Sequence, residues 1–224
     1  MSNLDYTVEI QQKENLTHDV VRLRLERPEG FEFTPGQAIE VNIKDSAVIL
    51  EDSPFTLTGR HGQNNLELIF KVYASHEGTT LALSECRVGD KLTITKPFDT
   101  FKYKSPGTFI AGGTGITPFV AILRQLNQDG KIDGNELIFA NKKVDDIFLK
   151  DELHRYLGDN LSIVLSKQNS KTYYYGRVDN AFLKENVKIK NHQFYLCGPQ
   201  GFSESIKGHL IDLGADASKI MVEY

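Results

Sequence analysis

Hydrophobic and polar residues alternate through much of the first hundred positions. Tyr6-Thr7-Val8-Glu9-Ile10, Val21-Arg22-Leu23-Arg24-Leu25 and Leu66-Glu67-Leu68-Ile69-Phe70 each follow a period of two between clusters of Gly, Pro, Asn or His, the pattern of a strand with one buried face. Ala38–Ile43 and Lys91–Lys96 read as further strands, Pro35-Gly36 and Val88-Gly89-Asp90 as turns, and Thr79–Cys86 as one helix. Short antiparallel strands at this spacing predict a small six-stranded barrel, whose closure removes exposed sheet edges. After Lys104-Ser105-Pro106-Gly107 the pattern changes. Thr108–Ala111, Glu136–Ala140, Leu161–Ser166 and Gln193–Leu196 are short apolar runs, separated by helical segments near Pro118–Leu126, Ile147–Tyr156, Val178–Asn186 and Gly201–Leu213, with a last strand at Lys219–Tyr224. Strand and helix in alternation predict a parallel sheet covered by helices on both faces. The expected fold class is therefore β + α/β, with a barrel domain over residues 1–104 and an α/β domain over residues 105–224.

The 224 residues are 40% hydrophobic and 25% charged, enough apolar material for one large or two compact domains. Residues 1–104 carry 12 Lys/Arg against 16 Asp/Glu, and residues 105–224 carry 14 against 14. Neither half has the positive excess that a nucleic-acid backbone requires. Two cysteines, Cys86 and Cys197, are too few for a disulfide framework, a four-thiolate zinc site or an iron–sulfur cluster. The six histidines show no zinc-ligand spacing and no G-x-S-x-G elbow is present, so no metal site and no hydrolase is expected. The start MSNLDYTVEI lacks the basic and apolar regions of a secretory signal. The 19 uncharged residues Ser105–Leu123 are broken by Gly-Gly-Thr-Gly and Pro118, which fits a strand, a turn and a helix start better than a membrane span. The expectation is a reduced, cytoplasmic monomer with no membrane or nucleic-acid partner.

Ala111-Gly112-Gly113-Thr114-Gly115-Ile116-Thr117-Pro118 stands where the first strand of the second half meets its first helix. Glycines there let the backbone approach an anion, and the N–H groups of the helix start point at it. Gly112, Gly113, Thr114, Gly115, Thr117 and Pro118 are thus candidate cofactor-binding residues, the alternative being a turn that only packs tightly. Pro118 takes the place of the last glycine in G-x-G-x-x-G, and the second strand ends Ala140-Asn141-Lys142 without an acidic residue for a ribose 2′-hydroxyl. A second motif, Tyr195-Leu196-Cys197-Gly198-Pro199, ends the fourth strand. With both motifs in this order, the sequence resembles the ferredoxin–NADP reductase superfamily over nearly its whole length.

The resemblance implies FAD in the barrel and NADPH, with NADH possible, in the second domain. Ser53-Pro54-Phe55-Thr56 is similar to the family's Arg-x-Tyr-Ser or Thr segment, which implies that Phe55 packs on the isoalloxazine and that the Thr56 hydroxyl faces N5. Ser53 offers a neutral hydrogen bond where the family places a phosphate-binding arginine. Gly78-Thr79-Thr80 opens the barrel's helix, with Thr80 at the hydroxyl position of the family's Gly-x-x-Ser motif; an ordinary cap by Thr79 is the alternative. Val72 completes the barrel set. In the second domain, Cys197 is implied to lie near the nicotinamide as a positioning residue beside Gly198 and Pro199, the alternative being a buried structural thiol. Ser166-Lys167 and Gly176-Arg177-Val178 resemble the family's Ser-Arg and Gly-Arg pairs, and cations at both places favour a 2′-phosphate; Lys142 suits either cofactor. Val222-Glu223-Tyr224 is similar to the family's acidic-then-aromatic ending, which makes Tyr224 a candidate gate over the flavin and Glu223 a candidate aid to electron or proton movement. The implied activity is hydride transfer from NADPH to FAD and single-electron transfer to a separate ferredoxin or flavodoxin. Two alternatives stand beside it: a flavin reductase using free flavin, which the loss of arginine at Ser53 suits, and a flavin-free binding or regulatory subunit.

Overall fold

A computed structural model describes residues 6–44, 54–73 and 78–223; Ser53 and Tyr224 lie outside the described residues. The chain divides into unit 1, residues up to Tyr103 together with Val120–Gln125, and unit 2, Lys104–Phe119 with Leu126 onward.

Unit 1 holds β1 (Tyr6–Asn15), β2 (Val20–Glu26), β3 (Gln37–Ile43), β4 (Pro54–Thr56), β5 (Asn65–Lys71), α1 (Thr79–Glu85), β6 (Lys91–Ile94) and β7 (Phe98–Asp99). Thr17 turns β1 into β2 because its hydroxyl accepts the N–H groups of Asp19 and Val20, at 3.3 and 3.1 Å. Six strands lie in the order β4-β3-β6-β1-β2-β5, every pair antiparallel. A bridge from Leu57 to Leu68 joins the two ends of that row, so the sheet closes nearly into a barrel, and β7 pairs with β3 off the ring. The period of two decides the filling: Val21, Leu23 and Leu25 of β2 meet Leu66, Leu68 and Phe70 of β5 in the core. Leu83 of α1, fully buried, joins them.

Glu67 departs from the expected alternation. It lies on the face of β5 that should meet water, yet it is 1% exposed. Arg124, from the Val120–Gln125 segment, approaches its Oε1 to 2.5 Å and also donates to the Thr58 carbonyl at 2.8 Å. The Thr58 hydroxyl donates to the same Oε1 at 2.9 Å, while the Arg24 Nε lies 3.2 Å from Oε2. Burial pushes the Glu67 carboxyl up, but Arg124, Thr58 and Arg22 together outweigh it and hold the group below its ordinary pKa. Alternation identifies the second face of a strand; it does not say that another segment will cover that face.

Unit 2 contains β8 (Gly107–Gly112), α2 (Thr117–Gln128), β9 (Glu136–Asn141), α3 (Lys150–Leu157), β10 (Leu161–Leu165), β11 (Tyr174–Tyr175), α4 (Asn180–Asn186), β12 (Gln193–Cys197), α5 (Gln200–Asp212) and β13 (Ile220–Glu223), apart from the α2 residues grouped with unit 1. The sheet order is β11-β10-β9-β8-β12-β13, with every pairing parallel. All residues of β8 and β12 are buried, as a sheet covered on both faces demands. On one face Phe109 meets Phe119 of α2 at 5.0 Å and stacks on Tyr195 at 4.6 Å between ring centroids. On the other, Ile110, Ile138, Phe194 and Leu196 pack with Phe182, Leu183, Ile206 and Leu210 of α4 and α5. The Tyr195 hydroxyl accepts the N–H groups of Lys104 and Ser105 at 2.9 and 3.0 Å and donates to the Ser105 carbonyl at 2.7 Å, which pins the segment entering β8.

Several boundaries differ from expectation for identifiable reasons. Helix α3 begins at Lys150 instead of Ile147 because Val144–Asp146 form a separate 3₁₀ turn and Leu149, at φ 55, is the N-cap. Helix α4 begins at Asn180 instead of Val178 because the Asp179 carboxylate caps it, accepting the Phe182 N–H at 2.9 Å. Strand β11 is absent from the sequence reading, since a two-residue tyrosine strand has no period to detect. Gly78, not Thr79, is the N-cap of α1, and Thr79 is a buried first-turn residue. Among the described residues no helix is long and apolar enough to cross a membrane.

Candidate functional site

In unit 1 the candidate flavin residues fall on β4 and around α1. β4 lies against β3 with Glu40 opposite Pro54, Ile39 opposite Phe55 and Ala38 opposite Thr56. Phe55 is 6% exposed and belongs to the barrel core, edge-to-face with Phe70 at 5.7 Å. Pro54 is exposed and Thr56 half-buried, so these two are presented outward on either side of a ring that the core holds. Val72, half-buried against the core, donates its N–H to the Asp19 carbonyl at 2.7 Å. At α1 the extended Gly78 receives no side-chain cap bond, while its carbonyl accepts the N–H groups of Leu81 and Ala82 at 3.1 Å. Thr80 is half-buried beside it. The other end of α1 is tied by Lys13, whose ammonium donates to the carbonyls of Ser84 and, at 2.8 Å, Cys86. A cation on the last carbonyls opposes the negative end of the helix dipole. These placements fit a neutral hydroxyl and backbone environment for a flavin; the contribution of Ser53 lies outside the described residues.

In unit 2 the parallel register collects the candidate nucleotide residues at one edge of the sheet. Gly112 ends β8 opposite Ala140, Cys197 ends β12 opposite Ala111 and Glu223, and Leu165 ends β10 opposite Asn141. From Gly112 the chain enters a 3₁₀ turn, Gly113–Ile116, and then α2, with the Thr117 N–H bonded to the Thr114 carbonyl and no side-chain cap at Gly112. Pro118 suits the first turn of α2, where its missing N–H leaves no intrahelical bond unmade. Gly115 is packed so tightly that a Cβ on it would lie 2.5 Å from the Cys197 carbonyl oxygen and 2.6 Å from the Gly198 Cα, whereas the space beside Gly113 is open. A loop supported from behind by backbone and open in front fits a phosphate approaching the N–H groups of a helix start.

The Cys197 thiol is pushed up to about 12, by burial first and then by Glu223 on the neighbouring strand, with the Gly198 backbone opposing. It is a protonated thiol at neutral pH. At the next strand ends, the Asn141 carbonyl accepts from the Ser166 N–H at 3.0 Å and its hydroxyl at 3.3 Å, and the Lys142 carbonyl accepts the Lys167 N–H at 2.9 Å. The Gly176 N–H bonds to the Leu165 carbonyl at 2.9 Å. Lys142, Lys167 and Arg177 are all exposed, and the backbones of Lys142, Lys167 and Gly176, next to Arg177, are bonded at these strand ends. Tyr224 lies outside the described residues. A residue that sequence reasoning passed over is Phe202, in the first turn of α5, whose ring lies against both Gly112 and Gly198. In the sequence it is an ordinary apolar helix position, and only its place three residues after Pro199 could have drawn notice.

Residues 7–103 match the oxidoreductase FAD-binding domain family and residues 109–208 the oxidoreductase NAD-binding domain family. The chain is 27% identical over 212 residues to the reductase component of propane 2-monooxygenase from Rhodococcus jostii (strain RHA1), an overlap that covers 87% of this chain. It spans 56–63% of the length of three such propane 2-monooxygenase reductase components. In fold it is similar to the flavohem-like FAD/NAD binding domain of nitric oxide dioxygenase from Vibrio cholerae, with a TM-score of 0.84, 22% identity and 97% of each chain covered. It is likewise similar to a ferredoxin NADP+ reductase from Neisseria gonorrhoeae with bound FAD and NADP, with a TM-score of 0.83, 18% identity and 97% of each chain covered. An FAD-binding barrel and an NAD-binding α/β domain, in that order and with both nucleotide motifs at one sheet edge, place the chain in the ferredoxin–NADP reductase superfamily.

Proposed function

We propose that the chain is an NADPH-dependent flavoprotein reductase that serves a separate one-electron carrier, a ferredoxin or flavodoxin, with residues 1–104 as the flavin domain and residues 105–224 as the nucleotide domain. The observation that carries this reading is the assembly of the Gly112–Thr117 loop and the Cys197–Pro199 turn as one packed backbone surface at the carboxyl edge of the sheet. Bound FAD would supply the redox chemistry that links a two-electron hydride donor to a one-electron carrier. The chain's own residues bind, orient and exclude water. The loop's N–H groups hold the pyrophosphate, Cys197 and Gly198 bound the nicotinamide pocket, and the Thr56 hydroxyl is a hydrogen-bonding group for the flavin N5. Lys167 and Arg177 read the 2′-phosphate. Relatives described as reductase components of a monooxygenase and of a dioxygenase system support a separate acceptor.

An absorption spectrum of the purified protein, with chromatography of the flavin released by heat, tests the first element. Stoichiometric FAD is expected. A colourless protein that oxidises NADPH only with added flavin would instead favour the second reading, a reductase of free flavin, which serine in place of arginine at Ser53 suits.

The preference for NADPH has its own test. Lys167→Ala combined with Arg177→Ala is expected to raise the KM for NADPH at least tenfold and that for NADH less than threefold, because a charged hydrogen bond to phosphate contributes about 1.5–3 kcal/mol. Equal increases for the two dinucleotides in steady-state assays would remove both residues from 2′-phosphate recognition.

A further inference from the structure

Three glycines and one ring build the wall behind the two nucleotide motifs. A Cβ on Gly112 would lie 3.0 Å from Cδ1 and Cε1 of Phe202, and a Cβ on Gly198 would lie 2.9 Å from the same Cδ1. Gly198 also stands against the backbone of Gly112, and Gly115 against Cys197 and Gly198. The two loops therefore touch each other directly on one side, and on the other they share a single side chain. Phe202 is half-buried, with its ring against the apolar cluster of Ile206, Leu210, Leu196 and their neighbours. It stands in the first turn of α5, whose N-cap is Pro199 and whose backbone begins with bonds from Phe202 and Ser203 N–H to the Pro199 carbonyl at 2.8 and 3.1 Å. The ring's own backbone is thus rigidly connected to the turn that it supports.

We propose that Phe202 is a positioning residue, a spacer whose ring sets the separation of the Gly112–Thr117 loop from the Cys197–Pro199 turn and thereby the place where the nicotinamide end of a bound dinucleotide rests. The inference rests on the nucleotide reading above. A flat ring fits where two glycines leave no Cβ, and nothing smaller fills the gap: truncation to alanine removes a wedge that only neighbouring loop backbone could replace. The loop that carries the phosphates is anchored independently by β8 and α2, so its affinity for the adenosine half is insensitive to the ring. The Cys197–Pro199 turn runs from β12 straight into α5, the helix that carries Phe202, so the ring acts first on the nicotinamide side, and a misplacement of about 1 Å at a reacting centre costs on the order of a hundredfold in rate.

The experiment uses the flavin-containing protein as purified and two probes. Calorimetric titration with 2′,5′-ADP reports the adenosine half, and stopped-flow reduction of the flavin at saturating NADPH reports nicotinamide placement. In Phe202→Ala the dissociation constant for 2′,5′-ADP is expected to stay within twofold of wild type while the reduction rate falls at least tenfold. Phe202→Leu, which keeps most of the volume, is expected to recover the rate to within threefold and carries the test if the alanine variant does not fold. An equal loss in both readouts, or no loss in either, overturns the spacer role. Wild-type protein that binds neither 2′,5′-ADP nor NADPH would overturn the nucleotide reading and this inference with it.

Discussion

Replacing Arg124 by leucine is expected to lower the unfolding free energy by about 3–5 kcal/mol, the range for stranding one partner of a buried ion pair. The magnitude follows from where the charge is left. The Glu67 side chain is 1% exposed, its Oε1 takes Arg124 at 2.5 Å together with the Thr58 hydroxyl, and Arg24 and Arg22 reach only the other oxygen, at 3.2 and 4.0 Å. Removing Arg124 also leaves the buried Thr58 carbonyl without its 2.8 Å donor, a second unsatisfied group of about 1–3 kcal/mol, although relaxation and water entry keep the two from adding. The check is a double-substitution cycle in urea. Arg124→Leu with Glu67→Leu is expected to recover at least half of the loss, because an apolar pair of similar volume carries no stranded charge. A double variant no more stable than Arg124→Leu alone would show that packing, not the ion pair, holds this position.

The same carboxyl gives a pH signature whose sign is fixed by its direction of shift. Burial alone would raise its pKa, and the favourable partners bring it below the ordinary value. Glu67 therefore contributes stability that is complete above the unfolded pKa of about 4.3 and is lost as the pH falls through the lower folded pKa. In Arg124→Leu the largest opposing partner is gone while burial remains, so the folded pKa rises, this carboxyl loses less stability on acidification, and the gap between wild type and the variant narrows as the pH falls. Acid titration followed by circular dichroism reads this directly.

Glu67 also marks where sequence reasoning stops. The strands of the barrel were legible because one face of each is apolar, and the parallel sheet was legible because its strands are apolar on both faces. What covers a polar face is a tertiary fact. Glu67 alternates with Leu66 and Leu68 as a solvent-facing residue would, and only the position of Arg124, far along the chain, converts that face into an interior one. Strand β11 and the start of α3 escaped for a local reason, since a two-residue strand and a left-handed Leu149 at φ 55 leave no periodic trace. At the site, Gly112–Pro118 was legible as a glycine-rich strand-to-helix junction of the kind that suits an anion, and Cys197–Pro199 only through the family resemblance. Phe55 was legible as an aromatic of the flavin segment, but not as a ring 6% exposed within the barrel core. The support given by Phe202 was invisible, because packing behind a glycine has no motif of its own.

Gly115→Ala is expected to weaken binding of 2′,5′-ADP at least a hundredfold, about 2.7 kcal/mol, while leaving the FAD content of the purified protein at the wild-type level. The added Cβ would stand 2.5 Å from the Cys197 oxygen, 2.6 Å from the Cys197 carbonyl carbon and 2.6 Å from the Gly198 Cα. All three are backbone atoms, so no side chain can swing aside, and either the 3₁₀ turn opens or the end of β12 retreats. Both movements spread the N–H groups that converge on a phosphate, and a preorganised anion site loses most of its advantage when its donors must be gathered again on binding. Gly201→Ala is the control: it lies on α5 with nothing within 4 Å of a Cβ, so it should bind like wild type and gain a few tenths to about 1 kcal/mol of helix stability. Calorimetry on the two variants separates the cases. Binding by Gly115→Ala within threefold of wild type would mean that this turn is a packing device and that the phosphate is held elsewhere.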